Sequence, residues 1–446
     1  MLGVMPPRKL ITLCLLAALA LCGTACQALA DFQSLLTPLP TFIATPGDPA
    51  VTIQFILTAT ASQWTATPPP TGSPLPTGTA TPTPILSETP SPTPTLTPYP
   101  TFTIVPLILP VNVGPFNYPE DVNPLTGFKV DDLSLLQRRP LVIKVTNFPR
   151  HVRPQSGLSL ADLVFEYYIE VGLTRFITVF YGNNAEWVGP IRSGRFFDEH
   201  VVRMFNGIFA FASADKRVLE TWLESDLVTR LVIPRPDNCP PLCRDPENPD
   251  YNNLYTNTAD LAPYAIANGA DNDRYDLTGM RFQNLLPWGG VAASDIFVRY
   301  SRLDYNHWQF NPTTGRYQRF QDEADDDGNG EQYAPLYDRL TSQPITAANV
   351  IVLYVSHEEF VKSSDTEIVK INLTGAGRAV IFRDGQAWEA TWVRVDEDSP
   401  LQFFRAGPGA GTHFPLKPGN TFIQVIGLTS TLIEAENTWR FVFAIP

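Results

Sequence analysis

Ala161-Asp162-Leu163-Val164-Phe165-Glu166-Tyr167-Tyr168-Ile169-Glu170, then Val171-Gly172, then Leu173-Thr174-Arg175-Phe176-Ile177-Thr178-Val179-Phe180-Tyr181: this stretch carries the strongest local signal in the chain. Two runs rich in β-branched and aromatic residues alternate in polarity and flank a two-residue connection that contains glycine, which is the signature of a β-hairpin. In the simplest register Tyr168 faces Arg175. Leu163, Phe165, Tyr167 and Ile169 then share one face, and Glu166, Tyr168, Glu170, Arg175 and Ile177 share the other.

Upstream of the hairpin, residues 140–145 (PLVIKV) read as a buried strand, followed by a polar loop over 147–157. Downstream, Gly189-Pro190-Ile191-Arg192-Ser193-Gly194-Arg195 opens a helical pattern that runs through Phe205, with Ser193 as the expected N-cap. Residues 206–212 read as a strand, 216–225 as a helix and 230–233 as a strand. Strands and helices alternate, so residues 120–265 are expected to form an α/β module with a mixed sheet. Past residue 290 helical periodicity disappears. Short strand-like runs at 296–300, 308–310, 317–320, 349–355, 367–373, 378–382, 386–393, 421–426 and 439–444 are separated by turns such as Arg383-Asp384-Gly385-Gln386. Residues 292–446 are therefore expected to be mostly β, and the whole chain α+β.

The first quarter of the 446 residues is not globular. Arg8 and Lys9 precede an uncharged apolar run over 10–21, which reads as an export signal within residues 1–30. Gly23-Thr24-Ala25-Cys26 resembles a lipobox with Cys26 as the acylated residue, although Gly23 stands where leucine is usual; Ala28-Leu29-Ala30 fits ordinary signal cleavage. Residues 31–110 are dominated by Pro, Thr and Ser. Such a segment cannot bury a core and is expected to be a disordered, semi-extended spacer. The expected location is the extracytoplasmic face of a membrane, held by a lipid anchor. Beyond the signal and Cys26 only Cys239 and Cys243 remain, and in an oxidising compartment they read as a local disulfide. The net charge is −13 and no basic run occurs, which excludes a nucleic-acid footprint.

Several ordered motifs are familiar. Arg153-Pro154-Gln155-Ser156-Gly157-Leu158-Ser159, Ala161-Asp162, Glu166, Glu170-Val171-Gly172-Leu173-Thr174-Arg175-Phe176, Gly189-Pro190-Ile191-Arg192-Ser193 and Asn253-Leu254-Tyr255-Thr256 resemble the N-terminal module of the YerB-like lipoproteins. Residues 377–392, with Asp384-Gly385 and Thr391-Trp392, and Phe414-Pro415-Leu416-Lys417-Pro418-Gly419-Asn420-Thr421 are similar to that family's second domain. The resemblance covers residues 120–446 and implies an exported two-module protein without an assigned biochemical role. Two departures stand out: Asn252, and the strand end Phe211-Ala212-Ser213-Ala214, occupy places where the family tends to carry histidine.

The candidate binding set is Arg153, Asp162, Glu166, Glu170, Arg175, Arg192, Ser193 and Arg195. Arginines beside a helix N-terminus suit a phosphate or carboxylate; the same charges also suit an internal ion-pair network. Glu166 and Glu170 are the candidate acid/base residues. In 325–330, Asp325, Asp327, Asn329 and Gly330 match positions of an EF-hand loop, but Leu336 stands at the twelfth position, so a solvated acidic turn is the better reading and no metal is expected. Residues 407–412 mimic a phosphate loop without its Lys-Ser/Thr ending and read as a turn. The five histidines are scattered, no GxSxG occurs, and no cofactor is expected. Trp308, Trp388 and Trp392 are candidates for sugar stacking or for core packing. Two functions follow as expectations: an envelope module that binds an anionic glycan or a protein partner, or an enzyme acting on a phosphorylated or acidic envelope substrate.

Overall fold

The computed structural model describes residues 111–363, 366–407 and 409–445. The export signal, Cys26 and the spacer lie outside these residues. Where β-branched and aromatic residues alternate, strands form. The central sheet draws on β1 (Leu141–Thr146), β2 (Leu163–Glu170), β3 (Leu173–Phe180), β4 (Ile208–Ala210) and β5 (Leu231–Val232) from the first module. A second, seven-stranded sheet uses β6 (Asp295–Arg299), β7 (Tyr305–Asn311), β8 (Arg316–Asp322) and β9 (Tyr333–Pro335). The second module then adds β10 (Asn349–Lys362), β11 (Glu367–Asn372), β12 (Gly375–Arg383), β13 (Gln386–Arg394) and β14 (Thr421–Gly427) to the central sheet. Strands β15 (Thr431–Ala435) and β16 (Thr438–Val442) extend the second sheet in the order β9-β8-β7-β6-β16-β15, and the short strand Thr346–Ala347 pairs with β8 as its seventh member.

One twelve-stranded sheet crosses the boundary between the two sequence modules. Its main path is β13-β12-β10-β14-β2-β3-β1-β4-β5. The seam is β14, which runs parallel to β10 on one side (Asn349 opposite Thr421) and parallel to β2 on the other (Thr421 opposite Leu163). β10 pairs with it along its whole length and β2 along Thr421 to Val425, and all seven of its residues are buried, Gln424 included.

The α/β expectation for the first module needs correction: the protein is mostly β. Three α-helices occur among the described residues: α1 (Phe196–Met204), α2 (Lys216–Leu223) and α3 (Thr258–Ala267). The first module does contain parallel pairs, β1 with β4 and β4 with β5, but they are short, and its long strands pair antiparallel. Alternation of helix and strand patterns along a chain does not by itself fix a crossover connection, because a hairpin satisfies the backbone more locally.

The hairpin exists, but its register differs from the simplest one. Val171 and Gly172 both take left-handed backbone (φ 53° and 81°), as a tight hairpin turn demands. A bulge between Tyr168 and Glu170 then sets Tyr167 opposite Arg175 and Tyr168 opposite Thr174. A shift of one residue exchanges faces. Arg175 therefore projects with Tyr167, Phe165 and Lys144, on the face opposite Glu166.

Two further expectations change. Arg195, not Ser193, is the N-cap of α1: its N–H donates to the Asp198 carboxylate at 2.7 Å, one half of a capping box from the third helical position. The acidic turn is ion-paired rather than simply solvated, with Asp325 on Arg150 (2.6 Å) and Arg302 (3.3 Å), Asp326 on Arg299 (2.7 Å) and Asp327 on Arg302. Trp308, Trp388 and Trp392 are all core residues. Cys239 and Cys243 form a disulfide across a Cα–Cα distance of 4.8 Å. Among the described residues no helix is long and apolar enough to cross a membrane.

Candidate functional site

The residues singled out from sequence separate into four places. Asp162 sits at the start of β2, fully buried, where its carboxylate accepts the backbone N–H groups of Tyr181 (2.6 Å) and Gly182 (2.8 Å) and closes the far end of the hairpin. Burial pushes its carboxyl up to about 6 against those bonds. Arg153 reaches across to the second sheet and grips Asp322, at 3.1 Å from each guanidinium nitrogen, alongside Arg150 at 2.6 Å. Both serve as clasps.

Glu166 occupies the space between the two sheets and is closed to solvent. Arg319 of β8 pairs with it at 2.8 Å, and Thr174 (2.9 Å), Asn147 (3.2 Å) and Asn306 (3.3 Å) donate to its two oxygens. The Arg319 guanidinium lies between the rings of Phe176 and Trp308, at 5.1 and 5.2 Å. Beside them, Asp304 is buried and accepts from the Thr174 amide at 2.8 Å; the Thr174 hydroxyl, 2.8 Å from Asp304, is shared between the two carboxyls. Burial, followed by the charges of Asp322 and Glu166, raises its carboxyl well above the usual range. Neither Arg319 nor Asp304 was visible as a partner from sequence.

The remaining residues meet on the helix side of the sheet. Lys144 of β1 is wholly buried against Asp198 of α1 (3.0 Å) and the Tyr167 hydroxyl, and burial pushes its ammonium down to about 7. Next to it, Glu170 binds the Arg195 guanidinium (Nε 3.0 Å) and lies 3.9 Å from Arg175. Arg175 donates to the Ser193 carbonyl at 2.7 Å; burial and then the Arg195 charge push it down to about 9. Arg192 stacks 4.6 Å above the exposed ring of Tyr251 and makes a long contact to its hydroxyl (3.4 Å). Its Nε is buried with no hydrogen-bond partner, and no carboxylate reaches it among the described residues. Ser193 and Ser213 share a hydrogen bond of 2.8 Å at the surface. Three arginines thus gather around one serine, and among the described residues Glu170 is the one carboxylate within ion-pair distance of them.

Both departures from the family resemblance fall at this turn. Ser213 touches Ser193, and Asn252 follows Tyr251 in the chain, where its amide bonds Asp250 (3.1 Å). Of the candidate set, the structure brings together Glu170, Arg175, Arg192, Ser193 and Arg195, and it sets Arg153, Asp162 and Glu166 apart. Lys144, Tyr167 and Asp198 were missed; the one available signal was a lysine inside an otherwise apolar strand, which cannot be buried without a partner. No group of three or more His, Cys, Asp or Glu side chains suited to a metal ion occurs among the described residues.

These features define a class: a two-module, mostly β protein with buried ion-pair clasps between its sheets, at Glu166–Arg319 and Arg153–Asp322, and an arginine-rich turn on the helix side of the central sheet. Comparison with known proteins agrees with the modules. Residues 125–271 match the N-terminal domain, and residues 296–423 the C-terminal domain, of a protein family of unknown function designated DUF3048. The chain belongs to this family of YerB-like proteins. Over 327 residues it is 26% identical to "Putative lipoprotein YerB" of Bacillus subtilis (strain 168), covering 68% of this chain and 85% of that protein. The crystal structure of YerB from Bacillus subtilis has a similar fold, with a TM-score of 0.56 at 24% identity, over 68% of this chain and 96% of that one.

Proposed function

We propose that this chain is a lipid-anchored extracytoplasmic module of the cell envelope that binds an acidic partner, an anionic glycan or the acidic face of an envelope protein, at the arginine turn. The observation that carries this reading is the local excess of cations. Among the described residues Arg175, Arg192 and Arg195 have one ion-pair partner, Glu170, in a chain whose net charge is −13. Arg192, which no carboxylate reaches among the described residues, keeps hydrogen-bonding capacity on its terminal guanidinium nitrogens for a ligand. The YerB relative's name supports the anchor at Cys26, which with its export signal lies ahead of the described fold.

An acid/base role for the glutamates draws no comparable support. Glu166 is sealed between the sheets and engaged by four donors, and Glu170 is held by Arg195. The test is Arg192→Ala. Because Arg192 has no ion pair to lose, the melting temperature should stay within a few degrees of wild type. Affinity for phosphate- or carboxylate-bearing envelope glycan fragments should fall ten- to hundredfold, the equivalent of one charged hydrogen-bonded contact of about 1.5–3 kcal/mol. A large fall in melting temperature, or no binding of such fragments by the wild type, refutes the site.

A further inference from the structure

The connection between the two modules holds the most exposed apolar segment of the described fold. Leu285, Leu286, Trp288 and Val291 are 59%, 48%, 63% and 54% exposed within seven residues. Such a cluster costs hydration free energy unless something covers it. Trp288 is fixed rather than loose: Arg405 stacks 4.7 Å from its ring and donates to its carbonyl at 2.6 Å, and the Trp388 indole donates to the same carbonyl at 3.2 Å. Beside the ring lies Gly409 of the glycine-rich 407–412 segment, where even an added Cβ would come within 3.7 Å of Trp288. Burial and then the Arg281 charge lower the basicity of Arg405, and neither arginine has an ion-pair partner among the described residues.

The position of this loop in the chain's path decides what covers it. The segment that precedes the fold enters directly beside it. Asn112 and Val113 pair with Gln283 and Phe282, and Asn284 donates to the Val111 carbonyl at 3.2 Å. The face that receives the anchor-bearing segment is thus the face that exposes two leucines, a valine and a tryptophan flanked by unpaired arginines. A tryptophan at an apolar edge with cations around it is the composition of a bilayer-interface contact.

We propose that the 285–291 loop, with Arg281 and Arg405, docks on the surface of an anionic lipid bilayer and holds the folded body against the membrane. This rests on the anchored reading for its biology, since a tether turns weak docking into an intramolecular event. The experiment keeps the two apart. The full chain carrying Cys26→Ala and an N-terminal histidine tag is held on phosphatidylcholine–phosphatidylglycerol vesicles by nickel-chelating lipid. Tryptophan fluorescence is then quenched with lipid brominated in its acyl chains, and the signal of Trp288→Phe in the same background is subtracted.

The difference signal should be quenched by the brominated lipid and lost in Leu285→Ser/Leu286→Ser. Replacing the anionic lipid with a zwitterionic one should lower the docking equilibrium constant about thirtyfold, as for two arginines at ~1 kcal/mol each. All these positions are exposed, so the variants should fold. An unquenched difference signal overturns docking. So does a Trp288 response that appears off vesicles and grows with protein concentration, which marks an interface between copies, or one produced by soluble glycan alone. Retention of the untagged wild type on membranes, with release of untagged Cys26→Ala, reads the anchor separately and is indifferent to Trp288.

Discussion

Replacing Glu166 with leucine strands a charge. In the wild type the Arg319 guanidinium is wholly buried, sandwiched by Phe176 and Trp308 and neutralised by Glu166 at 2.8 Å. Its remaining hydrogen bonds run from Nε (2.9 Å) and Nη2 to the Gln321 side-chain oxygen, and its Nη1 has no partner. Leucine approximates the volume of the glutamate but offers no charge and no acceptor, so Thr174, Asn147 and Asn306 each lose a bond as well. Removing one member of a buried pair typically costs about 3–5 kcal/mol, most of it the penalty of the ion left behind. Because Glu166 belongs to the central sheet and Arg319 to the second, the loss falls on the contact between the two sheets.

The control is the double variant Glu166→Leu/Arg319→Met. If the cost of the single variant is the stranded charge, the double variant should recover most of it, since an apolar pair of similar volume is often as stable as the ion pair. Urea unfolding of wild type, both singles and the double, followed by fluorescence and by circular dichroism, gives the cycle directly. A single variant that costs under about 1 kcal/mol, or a double variant whose cost equals the sum of the singles, refutes the assignment of this pair as a buried clasp.

Two other outcomes are expected. Burial raises Asp162 from 3.8 to about 6, so between those pH values the native carboxyl keeps a proton that the unfolded chain releases, and stability falls as pH rises through that window. Asp162→Asn keeps an acceptor for the Tyr181 and Gly182 amides and should flatten the decline between pH 4 and 6 by up to ~3 kcal/mol; an unchanged slope in denaturation at those pH values counts against it. Some slope should persist from Asp304, which burial shifts in the same direction. Finally, maleimide labelling of the folded, unreduced protein should leave Cys239 and Cys243 unmodified, and reduction should cost only ~2 kcal/mol because the closed loop is so short; stoichiometric labelling of the pair before reduction contradicts the bond.

What could be read from sequence was local. The β2–β3 hairpin, β1, and the Asp384-Gly385 turn between β12 and β13 all follow from alternation and turn chemistry within a few residues, and the turn takes the left-handed backbone (φ 51° and 73°) that Asp-Gly favours. What could not be read depends on pairing across the chain or on a shift of one residue. The run 421–426 reads as a strand in isolation, yet nothing in it says that it will lie between Leu163 and Asn349 and weld two sequence modules into one sheet. The bulge after Tyr168 is equally silent, and it decides the chemistry: without it Arg175 and Glu166 share a face and form one charged site; with it, Glu166 is consigned to the interior with Arg319, and Arg175 joins Arg192 and Arg195 at the surface turn. Trp288 escaped notice for a related reason. Pro287-Trp288-Gly289-Gly290 falls between recognisable modules and looks like a connector, while the tryptophans inside strands drew attention and proved to be core. Within a strand, alternation assigns most aromatics to a buried face, Phe360 of β10 being an exposed exception. A tryptophan in a Gly/Pro connector has no such assignment, and that makes the connector, more than the strands, the place to look for a surface that binds.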